Sequence, residues 1–323
     1  MVTFLLRRVL QGIAILFVVA TVTFALIHAA PGEPFAGTIE DSRVTPEMRA
    51  ELRRQYGLDQ PIATQYARFV SQVVRGDLGR SISKREPVRE ILGDAIPRTL
   101  LLMAVALAAS FALGVAIGAL QAARAGSRLD RVAGRVSVAF SALPEFWLGL
   151  ALLFVFGWRL RWFPIAGMVD ATMHEYLSPA GKLRDIAVHL ALPATSIALI
   201  FGSVVARFQR QAMVDILPDD FVRTARAKGL HERVIVLRHA LRNALLPTIT
   251  LMGLALPALV GGSVFIENIF EWPGMGRVTV EALGARDYPV VLGATLVGSL
   301  FVVLGSILAD LLSAAVDPRL RRG

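Results

Sequence analysis

The sequence predicts an all-α, polytopic membrane bundle of six spanning helices, and three observations carry that reading. Of 323 residues, 55% are hydrophobic and only 18% charged, and the mean hydropathy is +0.59, whereas soluble globular domains carry about 25% charged residues. Six apolar stretches are long enough to cross a hydrocarbon core, which takes about 20 residues of helix. None alternates with the period of a strand, so a closed barrel is not indicated.

The first stretch, Val9–Ala29, follows Arg7 and Arg8 and has the outline of a signal peptide. Its plausible cuts, after Ala30 or Ala29, would put His28 or Ile27 at the −3 position, where a small residue is required, so it reads as an uncleaved signal anchor. The other stretches are Leu100–Ala123, Val132–Trp158, Ala187–Ala206, Ala244–Ile266 and Pro289–Ala315. In the second, Gly114-x-x-x-Gly118 permits two helices to approach closely.

Orientation follows from where the positive charges fall. With the N-terminus inside, the inner segments hold Arg7 and Arg8; Arg124, Arg128, Arg131 and Arg135; the basic residues from Arg207 to Arg242; and Arg319, Arg321 and Arg322. The outer segments balance acid against base, and their longest loop is too long to count in the positive-inside rule. Both termini are therefore expected in the cytoplasm. The net charge of +9 is accounted for by this bias and needs no nucleic-acid partner.

Four regions result: an N-terminal transmembrane helix over 1–30, an extracytoplasmic helical loop over 31–98, a five-helix core over 99–315 carrying a cytoplasmic segment at 207–243, and a cytoplasmic tail over 316–323. In the long loop, Thr45 before Pro46 reads as a helix start and Gly57 as its stop. Pro61 opens a second helix that aligns Ile62, Tyr66, Phe69, Val70, Val73 and Val74. Pro87 opens a third that aligns Val88, Ile91, Leu92 and Ala95. Such amphipathic helices need a surface: the protein's own rim, the lipid interface or a docked partner.

No catalytic apparatus is visible. Zero cysteines exclude thiolate metal sites and a cysteine nucleophile, and the chain has neither G-x-x-x-x-G-K-[ST] nor G-x-S-x-G. His231-Glu232 begins like a zinc-protease helix, but Ile235 stands where the second histidine would fall. Neither a catalytic residue, a metal site nor a bound cofactor is expected.

Two features point to transport. Glu145 follows Pro144 inside the third stretch; proline deprives a carbonyl of its donor and bends the helix, and a carboxylate at that depth either lines an aqueous path or is hydrogen-bonded between helices. Between the fourth and fifth stretches, Asp219 or Asp220 caps a helix over Phe221–Lys228, Gly229 stops it, and Glu232 starts another running toward Leu241. A short charged helix, a glycine turn and a second helix projecting from a bundle form a lever. An ion-coupled secondary transporter is the alternative class, but it calls for several mid-membrane ionisable groups and an inverted repeat.

Val222-Arg-Thr-Ala-Arg-Ala-Lys-Gly-Leu230, followed by Arg238-His-Ala-Leu-Arg-Asn-Ala-Leu245, resembles the cytoplasmic loop of ABC importer permeases, specifically the first permease of the dipeptide/oligopeptide/nickel branch. Against the family pattern Glu-Ala-Ala, three residues, Gly, nine residues, Ile-x-Leu-Pro, Gly229 is the glycine and His239-x-Leu241 falls on Ile-x-Leu. Arg223 replaces the glutamate and Arg242 the proline, as in that branch. Gly76-Asp-Leu-Gly-Arg-Ser81, Leu143-Pro-Glu-Phe-Trp-Leu-Gly149, Trp272-Pro-Gly-Met-Gly-Arg277, Arg286-Asp-Tyr-Pro289 and Asp317-Pro-Arg319 follow in the branch's order.

The resemblance implies a type I importer permease in a bacterial or archaeal plasma membrane, paired with a second, similar permease. It also implies two ATP-binding subunits that supply ATP and Mg chemistry and an extracytoplasmic binding protein that delivers cargo: dipeptide, oligopeptide, nickel, glutathione or haem. The coupling residues it implies are Arg223, Thr224, Ala225, Arg226, Lys228, Gly229, Leu230, His239, Leu241 and Arg242.

Overall fold

A computed structural model describes residues 2–29, 54, 59–255, 257 and 263–316. Among them every regular element is helical. The chain divides into two compact units, residues 1–99 with 273–304 and residues 100–272 with 305–323.

In the first unit, α1 (Val2–Ala29) presents Gly12 to α12 (Tyr288–Val316) so closely that a Cβ on it would lie 2.5 Å from Val303 Cγ1. The amphipathic helix expected after Pro61 is α2 (Ile62–Val74), and it lies on the protein's own rim. Tyr66 hydroxyl meets Thr21 Oγ1 at 2.7 Å, Gln65 Oε1 meets His28 Nε2 at 3.1 Å, and Phe69 stacks on Phe24 with ring centroids 5.5 Å apart. The helix expected at 46–56 lies, apart from Arg54, outside the described residues.

Val88, Ile91, Leu92 and Ala95 are all buried, as their spacing predicts, but they do not form a separate short helix. They are the first turns of α3 (Val88–Ala123), which runs on through Pro97. Pro97 is tolerated because it is followed by more than six turns of apolar helix that packing holds in place; proline costs one backbone bond and not the element. Residues 88–99 of α3 join α11 (Met275–Gly284) and α12 in one cluster of Val88, Ile91, Leu92, Ala282, Val290, Val291 and Ala294.

Two sequence motifs meet in this unit. Asp287, 1% exposed, accepts hydrogen bonds at Oδ2 from Ser81 Oγ (2.5 Å), Ser83 Oγ (2.7 Å) and Ser83 N–H (3.0 Å). Burial pushes this carboxyl up, but the hydrogen bonds from Ser81, Ser83 and the Ile82 backbone outweigh it and hold it below the ordinary aspartate value. The loop reaches Asp287 through left-handed turns at Gly76 (φ +74°) and Gly79 (φ +76°), with Asp77 Oδ1 accepting from Gly79 N–H at 2.9 Å.

In the second unit, α4 (Arg128–Ala142) and α5 (Glu145–Leu152) are joined at Leu143-Pro144 with a bend of 105°. The sequence reading expected one proline-bent span over Val132–Trp158; the structure breaks it. A residue before proline is biased toward extended backbone, and here Leu143 takes it up at φ −76°, ψ 136°, which ends α4; Pro144 (φ −61°, ψ 135°) then serves as the N-cap of α5. α5 passes into a π-helical stretch, Leu153–Arg159.

The 38-residue α6 (Pro179–Ile216) forms the spine of this unit, with Ser178 Oγ accepting from Gly181 N–H at 3.3 Å and proline at the first helical position. Against it pack Leu102, Met103 and Ala106 of α3 with Ile266, Phe270 and Trp272, and further along Ala119, Ala122, Val236, Ala240 and Ala244. α9 (Leu241–Ala255) is tied to α6 by a buried bond from Thr248 Oγ1 to Gln209 Oε1 at 2.6 Å.

Among the described residues, four helices are long and apolar enough to cross a membrane, Arg7–Ala29, Val88–Ala123, Pro179–Ile216 and Tyr288–Ala309, with a fifth crossing if α4 and α5 count as one. The remaining expected stretch, Ala244–Ile266, contains most of α9 and the start of α10 (Val264–Ile269). Residues 256 and 258–262 between them lie outside the described residues.

Candidate coupling and translocation sites

α6 ends where Leu217 precedes Pro218, and Asp219 occupies the N-cap position of α7 (Asp220–Ala227). The cap makes no side-chain hydrogen bond. Asp220 stands in the first turn, where a carboxylate favours the helix dipole, and accepts from Arg223 Nη1 at 3.1 Å.

α7 is amphipathic on a scale of two turns. Val222 (0% exposed) and Ala225 (5%) face inward and pack on Ile235. Arg223, Thr224, Arg226 and Lys228 project outward, as do Phe221 and Leu230, each about two-fifths exposed. Of the implied coupling residues, then, Ala225 fastens the helix to its own chain while its neighbours form the outer face.

Gly229 ends α7 in the left-handed region at φ +74°. Its N–H donates to Arg226 O at 2.9 Å and Leu230 N–H reaches back to Ala225 O at 3.4 Å, the paired bonds of a Schellman closure. Nothing lies within 4 Å of a Cβ built on Gly229, so the glycine serves backbone conformation and not space.

The chain then restarts as α8 (Glu232–Val234) and a π-helical turn, Ile235–Ala240, leading into α9. Across the glycine turn, Arg226 grips Glu232 bidentately, Nη2 to Oε1 at 2.7 Å and Nε to Oε2 at 3.2 Å. That hydrogen-bonded guanidinium holds the exposed Glu232 carboxyl below its usual value. Val222, Ala225 and Ile235 on one side and Arg226–Glu232 on the other fix α7 at a set angle to the segment that follows. His239 lies half-buried in the π turn, Leu241 half-buried at the start of α9, and Arg242 exposed beside it. These three stand on the second arm of the lever, apart from the α7 face.

Glu145 is the first residue of α5, half-buried, with its side chain hydrogen-bonded to Ser263; Pro144 before it is exposed. Ser263 is in turn the N-cap of α10 and accepts from Ile266 N–H at 3.2 Å. α5 and α10 are in tight contact: a Cβ on Gly149 would sit 2.9 Å from Ile266 Cδ1. The carboxyl therefore stands at a helix break, held by a neighbouring cap yet partly open to the outside of the chain.

The sequence reading missed a clamp deeper in α6. Asp130, 5% exposed, accepts from Arg210 Nε at 2.7 Å, from Arg210 Nη2 at 2.8 Å and from Gly126 N–H at 2.9 Å, while Gln121 Nε2 donates to Asp130 O at 3.3 Å. It ties α3, α4 and α6 together two turns before the lever. Residues 80 apart carry no periodicity that would announce such a pair. Among the described residues no group of three or more His, Asp or Glu is arranged to hold a metal.

Residues 114–322 match the family described as binding-protein-dependent transport system inner membrane component, and residues 1–103 match that family's N-terminal part. The chain is 38% identical to the oligopeptide transport system permease protein AppB of Bacillus subtilis, over 99% of each chain. It is 38% identical to the di/tripeptide transport system permease protein DppB of Pseudomonas aeruginosa and 36% identical to the glutathione transport system permease protein GsiC of Salmonella typhimurium, again over 99% of both chains. In fold it is similar to a chain of the MetNI methionine ABC transporter solved in an inward-facing conformation, with a TM-score of 0.51 at 20% identity, covering 72% of this chain and 95% of that one. The two matched regions run nearly end to end, and the helical lever and broken span fall within the longer of them: the chain belongs to the family of binding-protein-dependent transport system inner membrane components.

Proposed function

We propose that this chain is the permease subunit of an ATP-driven importer of di- and oligopeptides. The observation that carries the reading is end-to-end similarity to permeases named for oligopeptide, di/tripeptide and glutathione transport, all peptides. The chain forms half of the translocation pathway beside a second, homologous permease, receives cargo from an extracytoplasmic binding protein, and takes its drive from two ATP-binding subunits that hold ATP and Mg. The outer face of α7 docks on one of these. Nucleotide-driven closure pushes a helix whose angle the Gly229 turn and the Arg226–Glu232 pair hold fixed, and α6 and α9 carry the push to the bundle.

In membrane vesicles holding the assembled complex and its binding protein, uptake of a labelled tripeptide is expected to stop when ATP is withdrawn and to persist when a protonophore collapses the ion gradient. The reverse result assigns the chain to ion-coupled transport.

The N-terminus lies inside and the 31–98 loop outside. Asp77 is exposed and the chain has no cysteine, so Asp77→Cys is expected to react with a membrane-impermeant thiol reagent from the extracytoplasmic side only. Labelling solely from the cytoplasmic side inverts the topology.

Glu145 lines the pathway at the helix break. Glu145→Gln keeps the bond to Ser263 and loses the charge, whereas Glu145→Leu loses both. A path role predicts that both variants alter uptake per assembled complex while Gln leaves assembly unchanged. A packing role predicts poor assembly for Leu and ordinary uptake for Gln.

A further inference from the structure

The face of α4 that begins the broken span carries a cleft that the lever does not use. Its volume is about 570 Å3, within the roughly 300–1,000 Å3 typical of ligand clefts. Arg131 and Arg135 line it one helical turn apart on α4, and Arg207 and Arg210 line it from α6. Asp130 neutralises Arg210 through both of its oxygens. Arg131, Arg135 and Arg207 are exposed and none has an acidic partner among the described residues. Three uncompensated guanidinium groups thus face one concave site that is already shaped by a part-buried ion pair.

A second observation comes from the cleft wall. Gln121, 1% exposed, lines the same cleft, spends its Nε2 on Asp130 O and leaves Oε1 without a partner among the described residues. A buried carbonyl acceptor of this kind needs a donor. That oxygen is closed off from the cleft as well, so the occupant is set by the three guanidinium groups, which call for negative charge.

The apolar rim narrows the choice further. Val138 also lines the cleft, one turn beyond Arg135 toward the apolar part of α4, and is half exposed. Charge at one end and an exposed apolar side chain at the other match a lipid, not a free anion.

We infer that this cleft binds the headgroup of an anionic phospholipid, a phosphodiester such as that of phosphatidylglycerol. Guanidinium groups suit phosphate because their planar forks meet its oxygens pairwise. The phosphodiester sits among Arg131, Arg135 and Arg207, and the acyl chains run along Val138. Basic clefts between spanning helices at the cytoplasmic boundary are where such headgroups bind. The choice of leaflet rests on the topology proposed above; the chemistry of the site does not.

The test uses the assembled transporter, stripped of lipid in detergent, titrated with phosphatidylglycerol or phosphatidylcholine and read by native mass spectrometry. Wild type is expected to retain one phosphatidylglycerol per copy of this chain in preference to phosphatidylcholine. Each basic residue near a membrane surface contributes about fivefold in affinity for anionic lipid, so the combined Arg131→Gln, Arg135→Gln and Arg207→Gln variant is expected to bind on the order of a hundredfold more weakly. The matching triple lysine variant keeps the charge and is expected to recover most of the binding, which separates recognition from misfolding.

Equal retention by wild type and the glutamine variant overturns the proposal. So does complete displacement of the lipid by inorganic phosphate, which marks a free-anion site, and so does the absence of lipid because a neighbouring subunit's carboxylates cover the arginines. Lipid retention requires no transport, so a failure of peptide uptake with normal retention counts against the proposed function alone.

Discussion

Gly118→Leu is expected to yield no stably assembled second unit. A Cβ at Gly118 would lie 2.5 Å from Ala206 O, 2.8 Å from Gln209 Cβ and 2.9 Å from Arg210 N. Two of those three atoms are backbone of α6, the longest helix of the unit, and cannot rotate away as a side chain tip can. Gly114, one turn earlier, is equally tight, with its Cβ 2.5 Å from Val205 Cβ and 2.8 Å from Gly202 O.

Overpacking in a well-filled core costs about 1–3 kcal/mol. Here relief requires α3 and α6 to separate, which also pulls apart Ala119, Ala122 and Met213 and strains the Asp130–Arg210 pair, so the cost lies at or above the top of that range. The internal control is Gly93 on the same α3, where a Cβ meets nothing within 4 Å and the backbone angle is ordinary. Gly93→Ala is expected to be neutral or to stabilise by up to about 1 kcal/mol through helix propensity. Thermal unfolding of the detergent-solubilised complex checks both; a Gly118→Leu protein that melts like wild type refutes the packing account.

This pair of glycines also shows what the sequence made legible. Small residues at a spacing of four within an apolar stretch specify a close helix contact, and the structure has it. Hydrophobic content and spacing likewise specified α2, the buried face at Val88–Ala95 and the Gly229 stop, because each depends on residues within one or two turns. The 105° break at Leu143-Pro144 was harder, since proline in an apolar stretch can either kink or interrupt a helix. The choice fell to tertiary contacts between α5 and α10, including Gly149 against Ile266 and Glu145 against Ser263. Asp130–Arg210 and Asp287 with Ser81 and Ser83 were beyond reach for the same reason, as partners 80 and about 205 residues apart are set by the fold and not by any local period. For the arginines at 131, 135 and 207, charge bias predicts a side of the membrane but not that they converge.

Gly229→Val is expected to abolish peptide uptake while the chain inserts and its second unit stays folded. Gly229 has φ +74° and no atom within 4 Å of a would-be Cβ, so the substitution meets no clash within its own chain. Its cost is conformational: an L-residue in the left-handed region loses about 1–2 kcal/mol, and a β-branched one fits there worst. That amount is too small to unfold a bundle of this size but large enough to open the two closing bonds at Arg226 and Ala225 and to release the angle between α7 and the segment that follows. The effect should therefore grade with left-handed tolerance, Gly229→Asn losing least, Gly229→Ala more and Gly229→Val nearly everything, a ranking that side-chain size alone does not give because asparagine is larger than alanine. Uptake per inserted chain, together with co-purification of the ATP-binding subunits, reads the outcome. Ala losing least, with Asn and Val losing more in order of size, would indicate contact with the partner and not backbone geometry, and normal uptake with normal co-purification in Gly229→Val would remove the coupling role from α7 altogether.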